Sequence, residues 1–274
     1  MSSRVYQNKI VIIAGGASGI GEQLARLLVS HSAHVIVLDR NSDAGAALSL
    51  VVPEVEYNMV DLTHADSLKR SVRHIIKKHG RIDYFFNAAG VFLGGEIRDT
   101  PLEDWNRISI ANLSPIWNGT SVVYGAMQKQ GFGHIINIAS SAGLFPVPAM
   151  SIYGASKAAV VSLTLGLRTE ARTLGIKASV VCPTIVKTPL YETALYAGVD
   201  RKKVLHLIKE RSDLQLPEVT ARRILAKTAR NKAVIHTAFS TYGAWLLFRI
   251  STELYSRAAM RFLSIFRRTL RIRS

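Results

Sequence analysis

The fold is indicated by the stretch Lys9-Ile10-Val11-Ile12-Ile13-Ala14-Gly15-Gly16-Ala17-Ser18-Gly19-Ile20-Gly21. Its first six residues read as a buried strand, and the glycines follow without a break. A helix is predicted next, because apolar residues recur at helical spacing: Ile20, Leu24, Leu27 and Leu28. A glycine-rich turn between a strand and a helix presents backbone amides and the positive end of a helix dipole, which together can hold a pyrophosphate.

A second predicted strand, Val35–Leu38, ends at Asp39, eighteen residues after Gly21. An acid at this distance suits the hydroxyls of an adenosine ribose and repels a 2′-phosphate, so it favours NAD(H) over NADP(H). The neighbouring Arg40 leaves the alternative open, because a guanidinium can stack on adenine or neutralise a phosphate.

Tyr153 and Lys157 are four residues apart and share one face of a predicted helix, with Ser140 thirteen residues before the tyrosine. A phenol titrates near pH ~10, so an adjacent ammonium is expected to favour its ionised form before it can accept a proton at neutral pH. Such pairs are common on solvated helices, and only the accompanying motifs make this one a candidate site.

Strand-like apolar runs alternate with helical patterns along the chain, at 35–38, 84–86, 134–138 and 178–182, with the Val5–Ile13 run as the first strand. This order predicts an α/β protein with a doubly wound parallel sheet. Candidate site residues follow the ends of the predicted strands: Gly15, Asp39, Asp61, Asn87, Ser140 and Pro183. Ligands of doubly wound folds bind at those ends.

The chain resembles the short-chain dehydrogenase/reductase family between about Ala14 and Thr188. The motifs that carry the resemblance are Gly15-x-x-x-Gly19-x-Gly21, Asp61-Leu62-Thr63, Asn87-Ala88-Ala89-Gly90, Asn112, Ser140, and Tyr153-x-x-x-Lys157. The resemblance implies a Rossmann fold, a catalytic set of Asn112, Ser140, Tyr153 and Lys157, and a homodimer or homotetramer. The cofactor-binding residues that it and the turn chemistry predict are Gly15, Ser18, Gly19, Ile20, Gly21, Asp39, Arg40, Asp61, Leu62, Asn87, Ala88, Gly90, Tyr153, Lys157, Pro183, Val186 and Thr188.

The resemblance also implies a hydride transfer in which Tyr153 exchanges a proton with the substrate and Ser140 holds the substrate oxygen. Lys157 lowers the tyrosine pKa and binds the nicotinamide ribose, and Asn112 fixes a water. Ser140 is preferred to Ser141 by its spacing to Gly143 and Tyr153. Two positions depart from the family pattern: Ala14 stands where a hydroxyl residue often precedes the turn, and Thr184 stands where a glycine often follows Pro183.

The predicted substrate is a hydrophobic secondary alcohol or ketone, because the loop after Thr188 is rich in apolar residues. Ser140, Tyr153, Phe145 and Leu190 are its candidate contacts, with Phe92, Leu93 and Pro146 as further wall. Plain core packing is the alternative for the apolar members. Two other functions stay open: an NADPH-dependent carbonyl reductase, and a noncatalytic NAD(H)-binding scaffold.

The C-terminal quarter is strongly basic. The whole chain has a net charge of +16, and residues 201–274 hold seventeen Lys and Arg against four Asp and Glu. We therefore divide the chain into a dehydrogenase domain, 1–242, and a helical extension, 243–274. From Tyr255 onward apolar residues and arginines take different faces of a predicted helix. Residues 255–273 could bind an anionic membrane surface, pack on a partner subunit, or lie on their own domain.

Other features narrow the class of protein. The single cysteine, Cys182, precludes an internal disulfide, and no His and Cys pattern has metal-ligand spacing. The N-terminus shows no secretory signal, so we expect a cytoplasmic protein, with peripheral membrane association as an option. No nucleic-acid-binding motif accompanies the arginines, which makes nucleic acid an unfavoured partner.

Overall fold

The computed structural model describes residues 3–211 and 214–271. Its strands are β1 Ile10–Ala14, β2 His34–Asp39, β3 Glu56–Met59, β4 Tyr84–Asn87, β5 Leu93–Gly95, β6 Gly133–Ile138, β7 Ile176–Cys182, β8 Leu195–Ala197 and β9 Val234–His236. Its α-helices are α1 Gly19–Ser30, α2 Ser42–Val51, α3 Ala65–His79, α4 Leu102–Gln130, α5 Ser151–Glu170, α6 Arg201–Glu210, α7 Pro217–Ala229, α8 Phe239–Ile250 and α9 Thr252–Thr269.

Within the described ranges, seven strands form one parallel sheet in the order β3-β2-β1-β4-β6-β7-β9. Strand β1 lies between β2 and β4, with Ala14 opposite Leu38 on one side and opposite Asn87 on the other. The chain thus winds outward in one direction from β1 and then in the other. The crevice at this switch point, at the carboxyl ends of the strands, is where doubly wound folds bind ligands.

Helices cover both faces of the sheet, which is why every residue of β1 is buried. Val11 and Ile13 pack with Leu24 and Leu28 of α1 on one face. Ile10 and Ile12 belong to the core of the other face, which also contains residues of α3 and α4: Leu68, Ile75, Val123 and Met127. The alternation along a single strand therefore supplies two hydrophobic layers.

The predicted α/β class and Rossmann arrangement are confirmed, and the predicted strands at 35–38, 84–86, 134–138 and 178–182 all exist with slightly wider bounds. The prediction that Val5–Ile13 forms the first strand is wrong at its N-terminal end. Asn8 has φ 58°, which interrupts an extended chain. Tyr6 is buried instead, and its hydroxyl donates a hydrogen bond to the Leu225 carbonyl of α7 at 2.7 Å.

The helical extension begins at Phe239, so the predicted boundary between residues 242 and 243 falls inside α8. Thr241, in the first turn of α8, is already buried, which ties this turn to the domain. None of the helices in the described residues is long and apolar enough to span a bilayer. Ile272 and Arg273, at the end of the segment predicted to contact a membrane or a partner, lie outside the described residues.

Helix α9 lies on its own domain and contacts three loops. Phe266 is buried with Ala149 and Val199. Arg267 donates two hydrogen bonds to the Glu96 carboxylate, at 2.9 and 2.7 Å, and Arg271 lies 3.3 Å from an Asp99 carboxylate oxygen. At the other end of the helix, the Tyr255 hydroxyl donates to the Pro146 carbonyl. Of the three interpretations of the C-terminal helix, packing on its own domain is the one that these contacts match.

Candidate active site

The glycine turn is tight because its members lie against the backbone of the neighbouring strand. Gly15 has φ +75°, and a Cβ there would lie 2.5 Å from the Ala89 nitrogen. A Cβ on Gly21 would lie 2.2 Å from the Gly15 carbonyl oxygen, so a side chain at either position would force the turn apart. Ser18 is the N-cap of α1 but makes no side-chain capping hydrogen bond, and it lines the cavity with the turn. A pyrophosphate fits this helix N-terminus.

Asp39 is held at the end of β2 by two backbone amides. Its Oδ2 accepts from the Ala17 nitrogen and its Oδ1 from the Asn41 nitrogen, each at 3.1 Å. A carboxylate has about four acceptor sites, so two remain for hydroxyl groups in the cavity that Asp39 lines. The carboxylate is therefore fixed in place with capacity for a ribose diol.

Asp61 and Arg40 lie together at the same end of the cavity. The side chain and backbone amide of Thr63 both donate to Asp61 Oδ1, at 2.7 and 2.9 Å, and lower the pKa of Asp61. His64 and Arg40 lower it further by their charge. The negative charge of Asp61 therefore partly offsets the positive charge of Arg40. This makes Arg40 less suited to bind the 2′-phosphate of NADP(H).

Ser140, Tyr153 and Lys157 meet because two glycines let the loop after β6 approach α5. A Cβ on Gly143 would lie 2.6 Å from the Lys157 backbone, and one on Gly154 would lie 2.9 Å from the Ala142 carbonyl. Ser140 caps the short 3₁₀-helix Ser141–Gly143 by accepting from the Ala142 nitrogen at 3.2 Å. All three side chains line the cavity.

The acid–base character of the pair differs from the expectation. Burial raises the pKa of Tyr153 to about 12, opposed in part by a hydrogen bond with Ser140. Burial lowers the pKa of Lys157 to about 8, opposed by nearby Cys182. The Lys157 nitrogen lies 5.8 Å from the centre of the Tyr153 ring. Lys157 is not among the groups that shift the phenol pKa in the chain alone: burial raises it, and the hydrogen bond with Ser140 opposes the rise.

Two predicted residues, Asn87 and Asn112, do not line the cavity. Asn87 ends β4 fully buried, and its amide donates to the Pro115 carbonyl of α4 at 3.1 Å, because its side chain is directed at that helix. The Asn112 amide exchanges hydrogen bonds with the Val91 backbone and donates to Ser156 Oγ at 3.0 Å. A Cβ at Gly90 would lie 3.0 Å from both Asn112 Oδ1 and Lys157 Nζ, so Asn112 lies directly behind the lysine.

The cavity has a volume of 1360 Å³ and runs from the glycine turn to the C-terminal helices. Pockets for drug-sized ligands usually have about 300–1,000 Å³, so there is room for more than one small molecule. Predicted site residues on its wall are Gly15, Ser18, Gly19, Ile20, Gly21, Asp39, Arg40, Asp61, Leu62, Ala88, Gly90, Ser140, Phe145, Tyr153, Lys157, Pro183, Val186, Thr188 and Leu190. Most of the predicted site residues therefore line one continuous cavity.

The family profile described as short chain dehydrogenase matches residues 9–195, which include the glycine turn, Ser140, Tyr153 and Lys157. The chain belongs to the short-chain dehydrogenase/reductase (SDR) family. This SDR is 30% identical over 231 residues to an uncharacterized oxidoreductase of Staphylococcus aureus strain MRSA252, covering 80% of this chain and 99% of the relative. It is an oxidoreductase by family.

Solved SDR structures share its fold. An SDR of Burkholderia phymatum in complex with NAD is 25% identical, with a TM-score of 0.82, covering 91% of this chain and 95% of that one. A short-chain dehydrogenase from Streptomyces avermitilis is 20% identical, with a TM-score of 0.79, covering 94% of this chain and 98% of that one. The second comparison shows the fold alone.

The part of the cavity around Tyr153 is aromatic in this SDR. The Phe92 ring lies edge-on to Tyr153 at 5.0 Å, to Tyr191 at 5.2 Å and to Tyr196 at 6.3 Å, measured between ring centres. Leu190 packs on the same cluster. Phe145 lies 5.7 Å from the ring of Tyr255 in α9. Leu93 and Pro146, two expected wall residues, do not line the cavity.

Sequence reasoning missed the wall that α6 and α9 contribute. Its residues are Val204, Leu207 and Ile208 of α6 with Arg211 just after that helix, and Phe262, Ile265, Phe266 and Thr269 of α9 with Leu270 just after it. The apolar stripe from Tyr255 was the signal that could have found them. The sequence did not show which surface this stripe packs against, because the contacts that join α9 to the site link residues about 170 positions apart, such as Arg267 and Glu96.

Proposed function

We propose that this SDR is an NAD(H)-dependent oxidoreductase that interconverts a hydrophobic secondary alcohol and its ketone. The observation that carries the proposal is one continuous cavity with Ser140, Tyr153 and Lys157 on one part of its wall and the glycine turn with Asp39 on another. The residues fit a nicotinamide dinucleotide, since the tight turn opens onto the α1 N-terminus and Asp39 keeps acceptor capacity for a diol. When bound, the cofactor supplies or accepts the hydride.

Tyr153 is the proton donor and acceptor of this proposal. Its pKa of about 12 keeps the phenol protonated at neutral pH, which is the form that donates a proton to a carbonyl oxygen during reduction. Oxidation of the alcohol needs the opposite form, so in that direction additional positive charge has to lower the pKa. The Ser140 hydroxyl lies beside the phenol and holds the same substrate oxygen.

Lys157 positions the cofactor ribose and carries positive charge beneath Tyr153. With a pKa of about 8, its amine is mostly protonated at pH 7 despite burial. Asn112 supports this arrangement from behind Gly90, where its hydrogen bonds to Val91 and Ser156 fix the start of β5 against α4 and α5. Its proposed role is to hold that geometry and the water next to the lysine.

The substrate preference follows from the wall around the phenol. Phe92, Leu190 and Met150 surround Tyr153 with apolar surface, and Tyr191 is partly buried among them. Burial raises the pKa of Tyr191, so it stays a neutral hydroxyl. The body of an apolar substrate would gain from burial against this wall.

Turnover of a panel of secondary alcohols and ketones by Tyr153→Phe and wild-type protein tests the chemistry. We expect kcat to fall by about 10²–10⁴-fold, because the proton carrier is removed. Tyr124→Phe, at a partly buried tyrosine of α4 that does not line the cavity, is the matched control and should keep full activity. Full turnover by Tyr153→Phe would refute the mechanism. Cofactor binding without turnover of any compound by wild-type protein would favour the scaffold function.

Cofactor preference is tested separately by titrating NADH and NADPH. Asp39→Ala removes a charged acceptor, and we expect NADH to bind about 10–100-fold more weakly, while NADPH binding does not weaken. Wild-type protein that prefers NADPH would contradict the proposed role of Asp39. It would assign the phosphate to Arg40, which lines the cavity next to it, and favour an NADPH-dependent carbonyl reductase.

A homodimer or homotetramer stays part of the proposal. Helix α4 keeps Ile110 and Trp117 about half exposed, and it packs against α5, which carries Tyr153 and Lys157. Large apolar side chains in such positions are typical of subunit contacts. Sedimentation of Trp117→Ser and wild-type protein would show whether this face joins two copies.

A further inference from the structure

Helix α8 presents an apolar face that nothing in the described chain covers. Phe239, Leu246 and Ile250 are spaced along one side of the helix, and they are 86%, 42% and 73% exposed. Tyr242 and Leu247 flank this stripe, while Thr241 on the opposite side is buried. Contiguous exposed apolar surface on this scale marks an interaction site.

Helix α9 follows α8 directly, packs against it and adds positive charge to this end of the chain. Its buried side is apolar, with Phe266 packed on the domain, so its outer side carries Arg257, Arg261 and Arg268. No ion pair joins these three arginines to another side chain within the described ranges. Leu254, one turn before Arg257, and Ile265, between Arg261 and Arg268, are 54% and 64% exposed.

We propose that the outer face of α8 and α9 docks on an anionic lipid bilayer. Exposed aromatic and aliphatic side chains next to arginines fit the boundary between headgroups and acyl chains. Glu253 is the single acidic residue in 239–271, so this face has little to repel anionic lipid. A second copy seated here by a twofold axis would bring the α9 arginines of both copies together with few acids to pair them.

The position of the cavity supports a lipid occupant. Phe262 and Ile265 of α9 and Leu207 of α6 line the cavity and are also substantially exposed, so its apolar rim opens beside the docking face. A hydrophobic molecule dissolved in the bilayer could pass this rim without crossing water. The docking itself does not depend on the proposed reaction.

Co-sedimentation of the full chain with vesicles tests docking. We use phosphatidylcholine vesicles with and without phosphatidylglycerol at low salt, and measure the bound fraction. The triple variant Arg257→Gln, Arg261→Gln and Arg268→Gln should bind anionic vesicles about 100-fold more weakly, since each basic residue contributes about fivefold. The charge-matched control Lys77→Gln, Lys129→Gln and Arg172→Gln removes exposed cations elsewhere and should bind like the wild type.

The apolar part of the surface has its own pair of variants. Phe239→Ser should weaken vesicle binding at least tenfold, whereas Leu50→Ser, 84% exposed on α2, should not change it. Absence of binding to anionic vesicles would overturn the proposal, as would equal losses in the control variants. Concentration-dependent self-association that Phe239→Ser abolishes would also overturn it, because the face would then belong to a second copy.

Discussion

Replacing Lys157 by methionine should make the protein more stable at neutral pH while abolishing its activity. Lys157 is buried, and its pKa falls from 10.5 to about 8 because burial penalises the charged amine. One pKa unit corresponds to 1.36 kcal/mol, so holding this amine charged in the folded protein costs about 3 kcal/mol. Methionine fills a similar volume without charge, and within the described residues the amine makes one hydrogen bond, to the Ile138 carbonyl, which is long at 3.5 Å.

The stability difference between Lys157→Met and the wild type should depend on pH. Between the folded pKa of about 8 and the unfolded value of 10.5, the unfolded chain binds more protons at Lys157 than the folded one, so this lysine makes stability rise with pH. From pH 8 to 9.5 we expect Lys157 to add about 2 kcal/mol to the free energy of unfolding. The advantage of Lys157→Met should therefore be largest below pH 8 and shrink towards pH 10.5.

Urea unfolding without added nucleotide, at several pH values from 7 to 9.5, measures this difference. Lys177→Met is the control, because Lys177 is on the exposed edge of β7 in the same sheet and its removal should not change stability in this pH range. A Lys157→Met protein that is less stable than the wild type at pH 7, or whose advantage is independent of pH, would refute the assignment of a buried, strained cation.

Two further predictions concern the glycine turn and the contact of Glu96 with α9. Gly15→Ala should abolish NADH binding, because its Cβ would clash with the Ala89 backbone. Gly80→Ala has a similar positive φ but no atom within 4 Å of the new Cβ, so it should lose only about 1–2 kcal/mol of stability and bind NADH normally. Isothermal titration of NADH into both variants distinguishes a clash from backbone strain. Glu96→Gln should weaken the contact with Arg267, speed hydrogen exchange in α9 and lower stability by about 1–3 kcal/mol. Because Arg267 lowers the pKa of Glu96, this loss should be full above pH 4.5 and vanish in stronger acid; equal exchange in α9 for variant and wild type would contradict it.

The sequence predicted the parts of the site that depend on local spacing. The glycine turn, Asp39 and the Tyr153–Lys157 pair lie within single strand–turn–helix or helix segments, where periodicity fixes which side chains share a face. Asn87 is still inside β4, with its side chain directed at α4, and the cavity wall begins one residue later with Ala88. Its predicted contact with the cofactor stays a prediction.

Long-range effects could not be predicted in the same way. The pKa values of Tyr153 and Lys157 depend on how deeply α5 is covered, which no spacing encodes. The wall formed by α6 and α9 likewise depends on where an amphipathic helix docks after the sheet has ended. Its apolar stripe was visible, but a membrane, a partner and the domain itself all present suitable surfaces to such a stripe.

The contact of Arg267 with Glu96 also determines when the cavity closes during folding. These side chains are 171 residues apart, whereas Tyr153 and Lys157 belong to one helix and Ser140 to the preceding loop. Contacts at large sequence separation carry the greatest loop-closure cost and form after local ones. Tyr153 and Lys157 are therefore in place before α9 covers the cavity. An intermediate with an ordered sheet but undocked α9 would expose the apolar cavity to aggregation or to a chaperone.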